Sequence, residues 1–562
     1  MSKKKILFHS NSAKAFTGFG KNAKNILRYL HKTGKYELIE FSNGVQWGDA
    51  SLNLRPWKAQ GSLPNNPSVL HQLNQNPDQA RAAGYGNATI DAAIKEFKPD
   101  IYLGVEDIWA FGGYWNKPWW DKINHMIWTT LDSQPILPQA IEAAPKTEHF
   151  YVWASFAEKD LKKLGHDHVG TLHGTIDTND FYPLPDSEKK QLRDEFNLTD
   201  DFIVGFVFRN QLRKSVPNIL EGFKIFKKDC PKAKLLLHTH WSEGWDIPRL
   251  IEEKDLCKED ILTTYYCSAC GRYEIRPFTG QEQTCRFCGT EKSLNTTNIQ
   301  NGVNESQLNE IYNIMDVYCH PFTSGGMEIP IFEAKMTELI TLVTNYSCGE
   351  DSSTTESGSF PLEWSEYREP GTQFIKASTY PSSIAKQLKK VYQMNPSKRL
   401  QMGKKARQWT IDNYSTESVG VKLESILDSM PAIDYNFDWE SKDDKSIDLN
   451  DLLDEGKKIA IIIPESAVDV LWVNSLMDNF KSMYSEFDIY VFTKPEFFDF
   501  IEDHPAVHKV LPYSSEIDNV HFLEGKGNHK GFFDMAFTPH YGTQRYHNYH
   551  HNGLDKTQFE LV

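Results

Sequence analysis

No stretch of this sequence reaches about 18 consecutive apolar residues, so nothing in it can satisfy its backbone across a bilayer as a spanning helix. Positive charge is in the minority. The 61 Lys and Arg face 76 Asp and Glu, a formal net charge of −15 that repels polyanions at long range. That counts against a simple DNA-binding protein and leaves nucleic-acid contact to a local basic or aromatic surface. Cysteine is too sparse for a disulfide scaffold: eight in 562 residues, four of them in two Cys-x-x-Cys pairs. The pairs read as metal ligands in a reducing compartment, and the scattered Cys230, Cys257, Cys319 and Cys348 as core thiols. A secretion signal is not expected, because after Lys3-Lys4-Lys5 the apolar run Ile6-Leu7-Phe8 stops at His9-Ser10-Asn11-Ser12. The expected location is the cytoplasm, or the host cytoplasm for a viral protein.

What is present is the composition of a globular chain, 40% hydrophobic and 13% aromatic, and too long for a single core. Short apolar runs alternate with amphipathic helices. The first series is Ile6-Leu7-Phe8, a helix over Asn22–His31, a strand over Tyr36–Phe41, a helix over Ala88–Phe97 and a strand over Ile101–Val105. A second series runs through the strand Phe202–Phe208, the helix Val216–Phe226 and the strands Ala233–His238, Val317–His320 and Ile340–Thr344. This βαβ rhythm predicts two Rossmann-like lobes with parallel sheets. Between Asp434 and Glu455 acidic residues dominate, as in a solvated linker. A smaller α/β module follows, with strands over Lys458–Ile463, Phe487–Phe492, Val507–Pro512 and Met535–Thr538 and a helix from Val468 to Met483.

Cys267-Ser-Ala-Cys270-Gly271 and Cys285-Arg-Phe-Cys288-Gly289 form two tight turns whose thiolates can converge on one tetrahedral ion. The glycine after each pair permits the turn that lets amides face sulfur. Four protein ligands leave no position for a reacting water, so the expected ion is a structural zinc. Arg272, Tyr273, Arg276, Phe278, Arg286 and Phe287 around the pairs offer cationic and stacking groups, either for nucleic acid or to cap a small core.

The segment His320-Pro321-Phe322-Thr323-Ser324-Gly325-Gly326-Met327-Glu328-Ile329-Pro330-Ile331-Phe332-Glu333-Ala334 joins a buried strand to a glycine-rich turn and a helix start, a place where free backbone amides face an anion. It resembles the donor loop of the family-4-like retaining glycosyltransferases, of GT-B fold, through Pro321, Gly326, Pro330, Glu333 and Ala334. The resemblance assigns Glu333 to the ribose hydroxyls of the nucleotide. The family's first glutamate falls on Gly325, and an acid stands instead at Glu328, where the family has glycine. Upstream, Val204-Gly205-Phe206-Val207-Phe208-Arg209 with Lys214 resembles the strand and cation pair that face the donor diphosphate, with Arg213 as a substitute for Lys214; the alternative is that all three are exposed loop cations. Thr17-Gly18-Phe19-Gly20 resembles the family's first βα turn, and Gly174-Thr175-Ile176-Asp177 with Phe181-Tyr182-Pro183 its interlobe segment. Arg407, Trp409 and Tyr414-Ser415 resemble the returning helix. Donor contacts are thus expected at Gly18, Gly20, Arg209, Lys214, Gly325, Gly326, Glu328 and Glu333. Catalytic roles are expected at Arg209, Lys214 and Asp107, with Glu106 and Asp107 facing the reacting sugar unless Asp107 is a helix cap.

The resemblance implies an acceptor-side lobe over 1–180 and a donor lobe over 181–400 with the ribbon, 263–292, inserted. A returning helix over 401–432, an acidic linker over 433–456 and a C-terminal module over 457–562 complete it. That module resembles the acceptor-side half of heptosyltransferase-like enzymes through Lys458–Leu471, Phe487–Phe492 and Pro505–Val510, and suits binding or assembly. His547, His550 and His551 read as a metal site or a polar tail. The implied reaction moves a sugar, with retention, from a nucleotide-sugar of UDP type to an acceptor hydroxyl, without a catalytic metal. Two acceptors compete. A hydroxymethylated pyrimidine in phage DNA is motivated by the ribbon and by Trp115, Trp119 and Trp120; a glycan or small metabolite is favoured by the acidic charge. An inactive scaffold binding nucleic acid or protein through the ribbon is the reading from another class. The oligomeric state is not legible.

Overall fold

The computed structural model describes residues 3–298, 301–437, 454–464, 466–513 and 533–539. Two compact units are formed, Met1–Phe437 and Asp438–Val562.

In the first unit, β1 (Lys4–Asn11), β2 (Tyr36–Gln46), β3 (Lys58–Leu63), β4 (Ile101–Gly104), β5 (Asn124–Thr129), β6 (His149–Val152) and β7 (Gly170–Thr171) build a sheet in the order β3-β2-β1-β4-β5-β6-β7. Every pairing is parallel. Ile6, Leu7 and Phe8 are wholly buried, as strands covered on both faces require. The chain order reverses between β1 and β4, which opens a crevice at their carboxyl ends. The first helix runs over Gly18–Thr33 rather than starting at Asn22. The Thr17 hydroxyl accepts from the Gly20 amide at 3.0 Å, and this cap starts the helix one turn earlier. Gly18 and Gly20 therefore lie in the first helical turn and not in a free loop. A Cβ on Gly20 would stand 2.3 Å from the Ala15 carbonyl oxygen, so close packing demands the glycine.

The second sheet contains β8 (Phe202–Val207), β9 (Ala233–His238), β10 (Ile261–Cys267), β11 (Tyr273–Pro277), β12 (Leu294–Thr296), β13 (Val317–His320), β14 (Thr341–Thr344) and β15 (Ser359–Leu362). Its order is β11-β10-β9-β8-β13-β14-β15, with β12 also paired to β10. The core pairings are parallel, and β11 and β12 run antiparallel to β10. A hairpin of β16 (Trp364–Arg368) and β17 (Ile375–Thr379) follows. The chain then returns through helices Pro396–Tyr414 and Thr416–Ser429, whose Val419, Leu423 and Leu427 enter the core beside Ile26 and Leu30. Gly420 is required there, because a Cβ would meet the Tyr29 ring at 2.7 Å.

The second unit carries β18 (Lys458–Ile462), β19 (Asp488–Thr493), β20 (Lys509–Pro512) and β21 (Met535–Phe537) in the parallel order β20-β19-β18-β21. The expected helix from Val468 to Met483 is broken into Ala467–Asn474 and Met477–Met483. Most of the acidic segment, residues 438–453, and the cluster His547, His550 and His551 lie outside the described residues. Among the described residues no helix is long and apolar enough to cross a membrane.

Two expectations about burial are corrected. Cys257 is exposed, whereas Cys230, Cys319 and Cys348 are buried. Trp115, Trp119 and Trp120 are core residues, none above 5% exposed. Trp119 Nε1 donates to Asp91 and Trp120 Nε1 to the Lys146 carbonyl, while the Trp120 ring stacks on His125 at 4.3 Å. These indoles are not available to stack on a base.

Candidate functional site

The carboxyl ends of β8 and β13 are neighbours because the two strands pair at the switch point of the second sheet. One end leads into Phe208–Ser215, the other into the turn Pro321–Glu328 and the helix Ile329–Met336. Glu328 lies between them, 3% exposed, with both oxygens engaged. Arg213 Nη1 donates to Oε1, Lys214 Nζ donates to Oε2, and His320 Nε2 stands 3.0 Å from Oε2. Burial alone would raise the Glu328 carboxyl, but Arg213 and Lys214 hold it well below the ordinary carboxylate range. Burial lowers Lys214 to about 8, against the attraction of Glu328. His320 is lowered by burial to about 4 and is neutral at pH 7. A carboxylate only accepts, so Nε2 carries the proton; Tyr318 Oη lies 2.8 Å from Nδ1 and also donates to the Val207 carbonyl at 3.0 Å.

The departure from the family pattern at Gly325 has a physical reading here. A Cβ on Gly325 would lie 2.7 Å from Glu328 Oε1 and 3.3 Å from Arg213 Nη1. The Glu328 carboxylate thus occupies the space that a side chain at 325 would take. Gly326 faces the first lobe, where a Cβ would meet Thr130 Cβ at 2.5 Å and Asp132 Oδ1 at 2.8 Å. A Cβ on Gly18 would touch Ile329 at 3.2 Å, across the same crevice. Glu333, also buried, receives Lys21 Nζ on Oε1 and Tyr312 Oη on Oε2, each at 2.8 Å. Lys21 sits on the first helix of the first lobe, so this ion pair joins the lobes at the position expected to hold ribose.

On the first-lobe side, Glu106 and Asp107 follow β4. Glu106 accepts from Asn43 Nδ2 and from the Asp107 amide, each at 3.2 Å. Burial and the Asp107 charge raise it to about 8, while those donors oppose the rise. Burial and the charge of Asp132 raise Asp107 to about 6. Asp107 precedes a 3₁₀ turn, Ile108–Phe111, but makes no side-chain cap; its carboxylate accepts from Thr130 Oγ1 instead.

Lys214, Gly325, Gly326, Glu328 and Glu333 are thus gathered along one crevice, with Gly18 at its first-lobe wall and Asp107 opposite Gly326. Arg209 is exposed, and no hydrogen bond or ion pair holds it among the described residues. The second cation at Glu328 is Arg213. Sequence reasoning missed His320, Lys21, Tyr312 and Lys376. The last, on β17, donates to Ser133 Oγ and Ser324 Oγ, both at 2.7 Å. Only the polar residue at a strand's buried end, as at His320, carried a signal in the sequence.

The four paired cysteines form a separate site. Their sulfurs lie within 4.8 Å of one another, with Cys267–Cys288 and Cys270–Cys285 both at 3.8 Å. Four thiolates around zinc at Zn–S of about 2.3 Å stand about 3.8 Å apart in a tetrahedron, so the set fits that ion. Gly271 and Gly289 adopt φ of 71° and 72°, and their amides donate back to Cys267 and Cys285 carbonyls. Arg276 and Arg286 both bind the buried Glu274, and Arg276 lies over the Tyr265 ring. Two of the ribbon's cations therefore share one internal carboxylate, which offsets one of the two charges. Replacing Cys285 by serine is expected to abolish stoichiometric metal in the purified protein, measured by elemental analysis, and to lower its melting temperature; retention of one metal per chain would refute the four-cysteine assignment.

No protein-family model matches this chain, and the curated proteins contain no match. Among solved structures, HepE of Anabaena in complex with UDP and glucose superposes with a TM-score of 0.52 at 12% identity, over 76% of this chain and 100% of that one. Sucrose-phosphate synthase from Thermosynechococcus elongatus gives 0.50 at 12%, over 76% and 98%. TarM gives 0.51 at 11%, over 76% and 99%. The architecture is GT-B: two Rossmann-like lobes facing across a crevice.

Proposed function

We propose that the protein is a glycosyltransferase that takes a sugar from a nucleotide-sugar of UDP type and passes it to an acceptor hydroxyl. One observation carries this reading: at the carboxyl ends of β8 and β13 the buried Glu328 orients both Arg213 and Lys214, and Arg213 meets the glycine turn at the Ser324 carbonyl. Cleavage of the donor builds negative charge on the leaving diphosphate. Cations held in place before the reaction stabilise that charge without reorganising, usually the largest catalytic contribution. Exposed Arg209 adds a third charge. Glu333 suits the ribose hydroxyls, with Lys21 giving way or sharing the carboxylate on binding. The GT-B neighbour HepE, seen with UDP and with UDP-glucose, supports UDP-glucose as the first donor to try.

Retention of anomeric configuration follows from the family resemblance, with the departing phosphate assisting deprotonation of the acceptor. For the acceptor, Asp107 and Asp132 at the first-lobe wall and the burial of Trp115, Trp119 and Trp120 favour an uncharged glycan or metabolite over a hydroxymethylated pyrimidine in phage DNA. The four-cysteine ribbon is assigned a structural zinc, and the C-terminal unit, likened to half of a heptosyltransferase-like enzyme, a binding or assembly role.

Calorimetric titration of the full chain with UDP and UDP-glucose tests the donor, with saturable binding at one site expected. No binding and no hydrolysis across common UDP-sugars would leave the inactive scaffold as the better reading. Labelled donor offered with hydroxymethylcytosine DNA, unmodified DNA and oligosaccharides tests the acceptor. Label in the oligosaccharides is expected; label confined to hydroxymethylated DNA reverses the choice. The anomeric signal of the product by NMR tests retention.

A further inference from the structure

Lys376 lies in β17, outside both strand-end segments of the donor site, yet its side chain is only 10% exposed and ends at the donor turn. Its ammonium donates to Ser324 Oγ, one residue before Gly325, and to Ser133 Oγ of the first lobe, both at 2.7 Å. Ser324 also offers its carbonyl to Arg213 Nη1 at 3.2 Å. Lys376 and Arg213 therefore approach residues 324–325 from different directions.

The charge around Lys376 is incompletely balanced. Among the described residues no carboxylate hydrogen-bonds it; the Glu369 oxygen is 3.9 Å away and Glu369 is 39% exposed. Glu369 and then Asp132, exposed across the crevice, attract it, and Arg213 repels it. A buried cation is expensive unless an anion and hydrogen-bond acceptors surround it. Lys376 ends on two hydroxyls that also bond each other at 3.0 Å, and one of its three N–H donors has no hydrogen-bond partner among the described residues.

β17 itself is pinned at this place. The Ile375 amide donates to the Gln134 carbonyl at 2.7 Å, across the lobes, and the Ala377 amide to the Thr323 carbonyl at 2.8 Å. The two residues flanking Lys376 are thus fixed, one to each lobe, so the ammonium is presented to the turn by backbone geometry.

We propose that Lys376 is a further cation of the donor site, which binds the anionic diphosphate of the nucleotide-sugar and replaces its serine contacts by phosphate oxygens. This deepens the donor-site reading above and rests on it. Because Ser133 belongs to the first lobe and Ser324 to the second, the same exchange couples donor binding to the contact between the lobes.

The test compares UDP with uridine on the full-length protein, by calorimetry for UDP and by NMR titration for uridine. Lys376→Gln is expected to weaken UDP about tenfold, the worth of one charge-assisted hydrogen bond, while uridine is unchanged. Lys376→Arg is expected to retain most of the UDP affinity. Salt should also weaken UDP binding less steeply in Lys376→Gln than in the wild type. UDP affinity equal to wild type in Lys376→Gln overturns the proposal. So does an equal loss for UDP and uridine, the sign of a purely structural clip. Wild-type protein that binds no UDP overturns the donor-site reading itself, and this inference with it. Should Lys376→Gln fail to fold, Lys376→Met, which keeps the aliphatic stem, carries the same comparison.

Discussion

Lys214→Met is expected to lower turnover of the nucleotide-sugar by about 10²- to 10³-fold, the effect of removing one fixed donor from a developing oxyanion. Methionine fills nearly the same buried volume but removes one of the two cations held by Glu328, so a thermal melt separates lost turnover from lost stability. The measurement is kcat with saturating UDP-sugar, alongside a thermal melt. A variant with near wild-type kcat would mean that Lys214 only balances Glu328. The wild type carries a matching pH signature. Lys214 is held down at about 8, so kcat/KM for the donor, which reports the free enzyme, is expected to fall as pH rises through 8 and the cation is lost. Lys214→Arg should move that limb upward, because guanidinium stays charged. A limb unmoved in the arginine variant assigns it elsewhere, with Glu106 the next group to examine.

The second large effect is on stability. Glu328→Gln keeps the shape of the side chain but leaves Arg213 and Lys214 beside each other without their shared carboxylate. Breaking a buried ion pair in this way typically costs about 3–5 kcal/mol. A markedly lower melting temperature of the first unit is the expected result. The pH dependence follows from the direction of the shift. Glu328 is held well below its unfolded value, so its contribution is complete above the ordinary carboxylate range and is lost as pH falls toward the depressed value. Wild type and Glu328→Gln should therefore differ most near neutrality and converge in acid. Equal melting at pH 7 would show that the cluster contributes little.

These two residues also mark where sequence reasoning ran out. Lys214 and Glu333 stand in patterns continuous in the chain. Glu328 stands out there as a misplaced acid, but its partners do not. Nothing in a linear reading shows that its carboxylate fills the space beside the Gly325 Cα, or that the cation sharing it is Arg213 and not Arg209. The Lys21–Glu333 pair spans 312 positions of sequence, and Lys376 reaches the turn from a hairpin placed after the last strand of the second sheet. Trp115, Trp119 and Trp120 misled in the opposite sense: an aromatic cluster reads alike whether it faces solvent or core.

Part of this structure is enforced by chemistry local to the chain. Apolar runs such as Phe202–Val207 are buried on both faces and so specify parallel strands. Each Cys-x-x-Cys-Gly carries its own turn, and the glycine step after Val317–His320 ends a strand wherever it occurs. Which polar groups meet is set by packing between distant elements. Parallel pairing sets the carboxyl ends of distant strands side by side, and burial there makes the charge of Glu328, Lys214 or Lys376 depend on neighbours supplied by other elements.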